Sequence, residues 1–226
     1  MRQQDHGWLV SFEGISGCGK TYLIEALRSR VSIETTTFVT EVVDREGSAL
    51  DREIINILAK AQDRFFRGGK PRTETFLLLA LKMFDYEARI APALATEHIV
   101  IEDRSIDTIA IYQSLLLYPE KSLEQQLEVA YEIYDLAAHW RRAPDLTFLI
   151  EDRFDVALKR VEQREGQRLA ADERAILQQA AQLYTSYARN YPSRFVLLNR
   201  QTLPTDTVLQ TISNHLLSQG LQPKEA

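Results

Sequence analysis

Five short runs of β-branched, aromatic and aliphatic residues punctuate the chain: Trp8 to Phe12, Thr37 to Val42, His98 to Ile101, Leu146 to Ile150 and Phe195 to Leu198. Each precedes a longer stretch in which apolar residues recur at helical spacing. Ile54, Ile57, Leu58 and Ala61 fall three, four and seven residues apart, and Phe154, Ala157, Leu158 and Val161 repeat the pattern. Near-continuous apolar strands alternating with amphipathic helices predict an α/β fold, a five-stranded parallel sheet flanked by helices on both faces. Two helical stretches, Thr73 to Ala95 and Ser122 to His139, exceed what one crossover needs. No internal repeat or linker divides the chain, so residues 1–226 are expected to form one domain. In such sheets ligands bind beyond the carboxyl ends of the strands, which directs attention to the residues just after each run.

Composition narrows the classes. With 226 residues, 45% of them apolar and 26% charged, the chain can bury a core without metal or disulfide support. Its one cysteine, Cys18, permits no internal disulfide and fits a reducing, cytoplasmic compartment. Met1 to Gly7 is polar and runs into Trp8 without an apolar stretch of signal-peptide length, and Phe76 to Leu81 is the longest continuous apolar run. Neither secretion nor a membrane is expected. The net charge of −5 gives no bulk attraction to nucleic acid, although local basic clusters remain free to bind phosphate.

The first run ends in Gly14-Ile15-Ser16-Gly17-Cys18-Gly19-Lys20-Thr21, which fills every defined position of a phosphate-binding loop. Glycines let successive N–H groups converge on phosphate oxygens, and the helix that follows presents its positive end to the same anion. Gly14, Ser16, Gly17, Cys18 and Gly19 would surround the phosphates, Lys20 would reach the β- and γ-phosphates, and the Thr21 hydroxyl would ligate magnesium. Cys18 occupies a free position, where an incidental role outweighs a redox one.

The third run leads into Glu102-Asp103-Arg104-Ser105. A carboxylate there lies beside the phosphate loop, so Asp103 is placed to hold magnesium or its water shell. Arg104 could grip the phosphate of a second substrate through its bidentate fork. The plainer reading makes Asp103 a cap for the helix beginning near Ile106, a role Ser105 or Asp107 could also fill. After the fourth run, Arg160, Arg164 and Arg168 recur at spacing four and would share a helical face if the helix reached them all. Glu165-Gly166-Gln167-Arg168 reads as a turn, so residues 162–172 are expected to form an arginine-bearing flap that closes over a triphosphate. Of the three arginines, Arg160 is the most structural in character.

Across residues 8 to 216 the chain resembles the thymidylate kinase family, whose members transfer the γ-phosphoryl of ATP to dTMP within the three-layer P-loop nucleotide kinase fold. The resemblance is carried by Phe12-Glu13-Gly14 through Thr21, by Asp103-Arg104 with Ile106-Asp107 and Tyr112-Gln113, by Ala91-Pro92-Ala93-Leu94, and by Pro144 to Leu149 leading to Ala157 through Val161. It implies ATP and magnesium as cofactors, a nucleotide substrate, a homodimer, Arg104 on the acceptor phosphate and Tyr112 near the acceptor sugar. Because the phosphate loop contains no arginine, it also points to Arg164 and Arg168 as the catalytic arginines. The departures fall on the acceptor side. Ser16 stands where many members have an acid, Ser105 follows Asp103-Arg104 in place of tyrosine, and Glu41 to Gly47 abridges a longer motif. The phenylalanine and arginine that hold thymine align with Leu78 and Lys82; a register shift of a few residues would offer Phe76 or Phe84 as the ring. A lysine cannot reproduce an arginine fork.

The first expectation is therefore phosphoryl transfer to a nucleoside monophosphate, dTMP or a related nucleotide, with Glu41, Leu78, Lys82, Arg104, Ser105 and Tyr112 around the acceptor. A nucleoside kinase with Glu41 as general base toward a 5′-hydroxyl, and a catalytically silent nucleotide-binding protein, stand as alternatives.

Overall fold

The computed structural model of the chain describes residues 7–40, 49–96 and 98–221. Five strands form one parallel sheet: β1 (Trp8–Glu13), β2 (Thr36–Val39), β3 (Ile99–Asp103), β4 (Leu146–Glu151) and β5 (Phe195–Asn199). Their order is β2-β3-β1-β4-β5. All five predicted runs are strands. The second ends at Val39 rather than Val42, and residues 41–48 lie outside the described part. β1 is central and buried from Leu9 to Glu13, with β3 on one side and β4 on the other. Connections therefore diverge at its carboxyl end, where a crevice opens for ligand.

The helices are α1 (Lys20–Arg28), α2 (Ala49–Ala59), α3 (Pro71–Asp85), α4 (Ala91–Ala95), α5 (Ile106–Leu117), α6 (Leu123–Trp140), α7 (Phe154–Glu165), α8 (Ala171–Arg189) and α9 (Thr205–Ser218). The predicted stretch from Thr73 to Ala95 is continuous but not uniform: a π-helical turn, Tyr86–Ile90, joins α3 to α4. Pro92 explains it. Proline has no N–H for the carbonyl four residues back and its ring crowds that carbonyl, so one wider turn before it relieves the conflict. Ser122 opens α6 with a capping box: its hydroxyl accepts from Gln125 N at 3.3 Å, and the Gln125 side chain accepts from Ser122 N at 3.1 Å.

The strand register sets two sheet faces of different character. Val10, Phe12, Phe38, Ile101 and Phe148 share one face. It is apolar and lies under α1 and α9: Arg28 stacks on the Phe38 ring at 4.5 Å, and His215 meets Phe148 edge-on at 5.8 Å. The opposite face alternates Leu9, Ser11 and Glu13 on β1 with Val100 and Glu102 on β3. Leu9 and Val100 pack against Ile90 and Leu94. The polar positions are satisfied from the helices above, Glu13 by Thr108 and Tyr184, Glu102 by Lys82 and Arg141, and Ser11 by Thr147 across the sheet. Among the described residues no helix is long and apolar enough to cross a membrane.

Candidate active site

Gly14, Gly17 and Gly19 all have positive φ, at 131°, 83° and 97°. Gly17 has no alternative: a Cβ there would lie 2.1 Å from the carbonyl oxygen of Ala157, where α7 presses on the loop. The loop wraps into the start of α1, and Lys20 is buried beneath it, its Nζ donating to the carbonyls of Gly14 at 2.9 Å and Ile15 at 3.0 Å. Cys18 is fully buried, its Sγ 3.7 Å from that ammonium. Two arginines brace the outer side. Arg160 donates to Gly17 O at 3.0 Å while paired with Asp152, and Arg200 donates to Cys18 O at 2.9 Å.

Arg104 meets the loop from β3. Its backbone has φ 61°, the left-handed region, which for a non-glycine residue costs roughly 1–2 kcal/mol. The conformation turns the guanidinium onto the loop, 3.3 Å from both Gly14 O and the Ser16 hydroxyl. Lys20 and Arg104 thus share one acceptor, the Gly14 carbonyl. Asp103, just before, borders with Thr21, Glu25 and Thr40 a recess of about 30 Å³. Thr21 and Asp103 offer two hard oxygens on one recess, which suits magnesium, a cation that completes its shell with phosphate and water. On the α8 side, Gly14 and Ile15 also wall a cavity of about 350 Å³ reaching Ile150, Tyr184 and Asn199.

A family model described as thymidylate kinase matches residues 12–212. The chain belongs to the thymidylate kinase family. It is 27% identical over 214 residues to a thymidylate kinase of Lactobacillus acidophilus, covering 93% of this chain and 94% of the relative. A probable thymidylate kinase of Methanosarcina barkeri is 29% identical over 198 residues, covering 88% and 90%. The crystal structure of thymidylate kinase from Ehrlichia chaffeensis superimposes with a TM-score of 0.65 at 21% identity, over 93% of this chain and 98% of that one. Membership makes the protein an ATP-dependent nucleotide kinase with the P-loop fold.

Against that family background the acceptor-side residues spread over different roles. Ser105 is fully buried and caps α5, accepting from Asp107 N at 3.1 Å and donating to Glu13 at 2.8 Å, so the cap weighed for Asp103 belongs to Ser105. Tyr112 is buried and stacks on Phe65, with centroids 5.7 Å apart. Leu78 is half-buried between two apolar clusters. Lys82 is buried and donates to Glu102 at 3.1 Å and to the Arg104 carbonyl. Phe76 is 62% exposed, so the ring stacked on Tyr112 comes from Phe65 and not from α3. Glu41 lies outside the described residues.

The flap differs from expectation in one respect. Gly166 takes φ 69° and ends α7, so Arg168 lies beyond the helix and shares no face with Arg160 and Arg164. Arg164 is exposed, 3.6 Å from Glu165, and Arg168 is exposed too. The flap is docked by buried Leu169, which belongs to the main core, and by two acids: Arg64 pairs with Glu165 at 2.9 Å and Arg67 with Asp172 at 2.7 Å.

The residues that sequence reasoning missed are Phe65 with its flanking Arg64 and Arg67, Arg200, Glu102 with Arg141, and Glu13. Glu13 is fully buried beside the loop and accepts from Ser105 N, Thr108 Oγ1 and Tyr184 OH. Burial, then the Asp107 charge, push its carboxyl up to about 7 despite those donors. For Glu102 burial acts in the same direction, but Arg141 and Lys82 outweigh it and hold the carboxyl down at about 2.

Proposed function

We propose that this kinase transfers the γ-phosphoryl group of ATP to the phosphate of dTMP, giving ADP and dTDP. The carrying observation is the meeting of Lys20 and Arg104 at the Gly14 carbonyl, 2.9 and 3.3 Å away. One cation belongs to the donor loop and the other arrives from the acceptor side. Two phosphate-seeking groups at one point suit a substrate pair that both carry phosphate, and the relatives' names give the acceptor.

In this reading the loop amides of Gly17, Cys18 and Gly19 and the amino end of α1 hold the triphosphate, and Lys20 exchanges its carbonyl partners for β- and γ-oxygens. Thr21 and Asp103 would hold magnesium, which offsets charge on the bridging phosphate oxygens. Arg104 grips the acceptor phosphate with both arms of its fork and sets one of its oxygens in line with the γ-phosphorus. That oxygen forms the new P–O bond as the bond to ADP breaks. A phosphate monoester is already nucleophilic near neutral pH, so the residues supply position and charge rather than a strong base. Phe65 and Tyr112 provide an aromatic wall for the sugar and base, and Leu78 adds apolar surface. Arg164 and Arg168, both exposed, act in this scheme when the flap brings one of them to the transferring group.

The test is ADP release by purified protein with ATP and magnesium, offered dTMP, dUMP, dCMP and dGMP in turn. dTMP is expected to give the highest kcat/KM, and Arg104→Ala to raise the KM for dTMP far more than that for ATP. Turnover independent of added acceptor, or equal for all four, contradicts the reading.

A further inference from the structure

The Arg104 carbonyl accepts from the ammonium of Lys82, which also donates to Glu102 Oε1 at 3.1 Å. Lys82 is 3% exposed. Glu102 is fully buried and held bidentately by Arg141, Nη1 to Oε1 at 3.2 Å and Nη2 to Oε2 at 2.8 Å, and Arg141 Nη1 also reaches the Lys82 carbonyl at 3.4 Å. The Lys82 ammonium is thus turned onto Glu102 and the backbone of residue 104, and Arg141 onto Glu102, the Lys82 carbonyl and, through Nε, the Arg142 carbonyl at 3.2 Å. On the amino side, Arg104 N donates to Phe12 O at 3.2 Å. The left-handed peptide at 104 is therefore clamped from both sides, by β1 through its N–H and by Lys82 through its carbonyl.

We infer that Lys82 is a positioning residue: it holds Arg104 in the strained conformation that aims its fork at the acceptor phosphate, and it does not read the acceptor base. The inference rests on the reading of Arg104 as the acceptor-phosphate group. It follows that base preference in this chain comes from side chains other than Lys82, with the Phe65 and Tyr112 stack the aromatic surface at hand. Glu102 and Arg141 serve by fixing the ammonium, and their mutual pairing leaves no orphaned buried charge when Lys82 alone is replaced.

The experiment compares wild type, Lys82→Met, Arg104→Lys and the double variant in kcat and KM for dTMP, dUMP and ATP, with crystal structures of the first two. Lys82→Leu, which likewise removes the donor, stands in if Lys82→Met does not fold. Expected are a rise in KM on the order of tenfold, equal for dTMP and dUMP, an unchanged KM for ATP, and a double variant no worse than Arg104→Lys. In the Lys82→Met crystal, residue 104 should leave the left-handed region. A dTMP-to-dUMP preference that shifts severalfold, or losses that multiply in the double variant, overturns the inference. If wild type phosphorylates no monophosphate, the functional reading fails separately, and the crystals still decide: φ near 61° retained at residue 104 in the variant refutes the clamp.

Discussion

At the residue scale the phosphate loop and the acid-arginine pair were legible because their chemistry is local. A loop that must turn N–H groups inward needs Gly14, Gly17 and Gly19 at fixed spacing, and a strand end that must present an arginine needs it directly after Asp103. Lys20→Ala should lower kcat by about a thousandfold or more with the circular dichroism spectrum unchanged, since it removes charge stabilisation and leaves the core intact. Glu13 was not legible. Its partners come from two distant segments, Ser105 and Thr108 from the start of α5 and Tyr184 from α8, so only the folded chain shows why its carboxyl is pushed up to about 7. The consequence for stability has a definite sign. A carboxyl whose folded value is raised binds more protons folded than unfolded, so between about pH 4.5 and 7 its contribution falls as pH rises. Urea midpoints across that window should show Glu13→Gln losing this downward slope; an identical slope in both proteins would contradict the assignment.

At the scale of elements, strands and helices were read almost entirely from periodicity, and the misses have physical causes. The π-helical turn at Tyr86–Ile90 keeps the backbone helical and widens only one turn before Pro92, too local a change for the apolar pattern to show. The flap was expected from its arginines, yet its polar ties to the body are Glu165 and Asp172, paired with Arg64 and Arg67 from a turn about a hundred residues earlier, beside the buried Leu169. Pairs that distant leave no trace in local spacing. These ties are partly exposed and should be screened by salt, so protease cleavage within 162–172 should quicken as ionic strength rises, and Arg67→Ala should quicken it at low salt. Ser122→Ala removes half of a reciprocal capping box and should cost about 1 kcal/mol, measured as a lower midpoint in thermal unfolding.

At the scale of the whole molecule, the sheet divides the protein into an apolar face under α1 and α9 and a face whose polar side chains connect to the acceptor side. An acidic chain with a net charge of −5 nevertheless gathers Lys20, Lys82, Arg104 and Arg141 around the end of β3 and the phosphate loop, with Glu102 the counter-charge. Removing that counter-charge while leaving its partners buried is the costlier change: Glu102→Leu should destabilise by about 3–5 kcal/mol in denaturant unfolding, well beyond the cost of Lys82→Met. The divergence of the acceptor half was visible in the sequence as single substitutions. Their resolution was not, because Phe65 and Arg141 enter from segments with no motif of their own.

In the proposed reaction the acceptor is itself a phosphate, drawn to the point where Lys20 and Arg104 meet. Phosphorus-31 NMR of the products formed from ATP and magnesium with an equimolar mixture of dTMP and thymidine tests it most directly. Expected are loss of the dTMP singlet, growth of the paired doublets of dTDP, and thymidine left unconsumed. New dTMP formed from thymidine, with no dTDP, would contradict it.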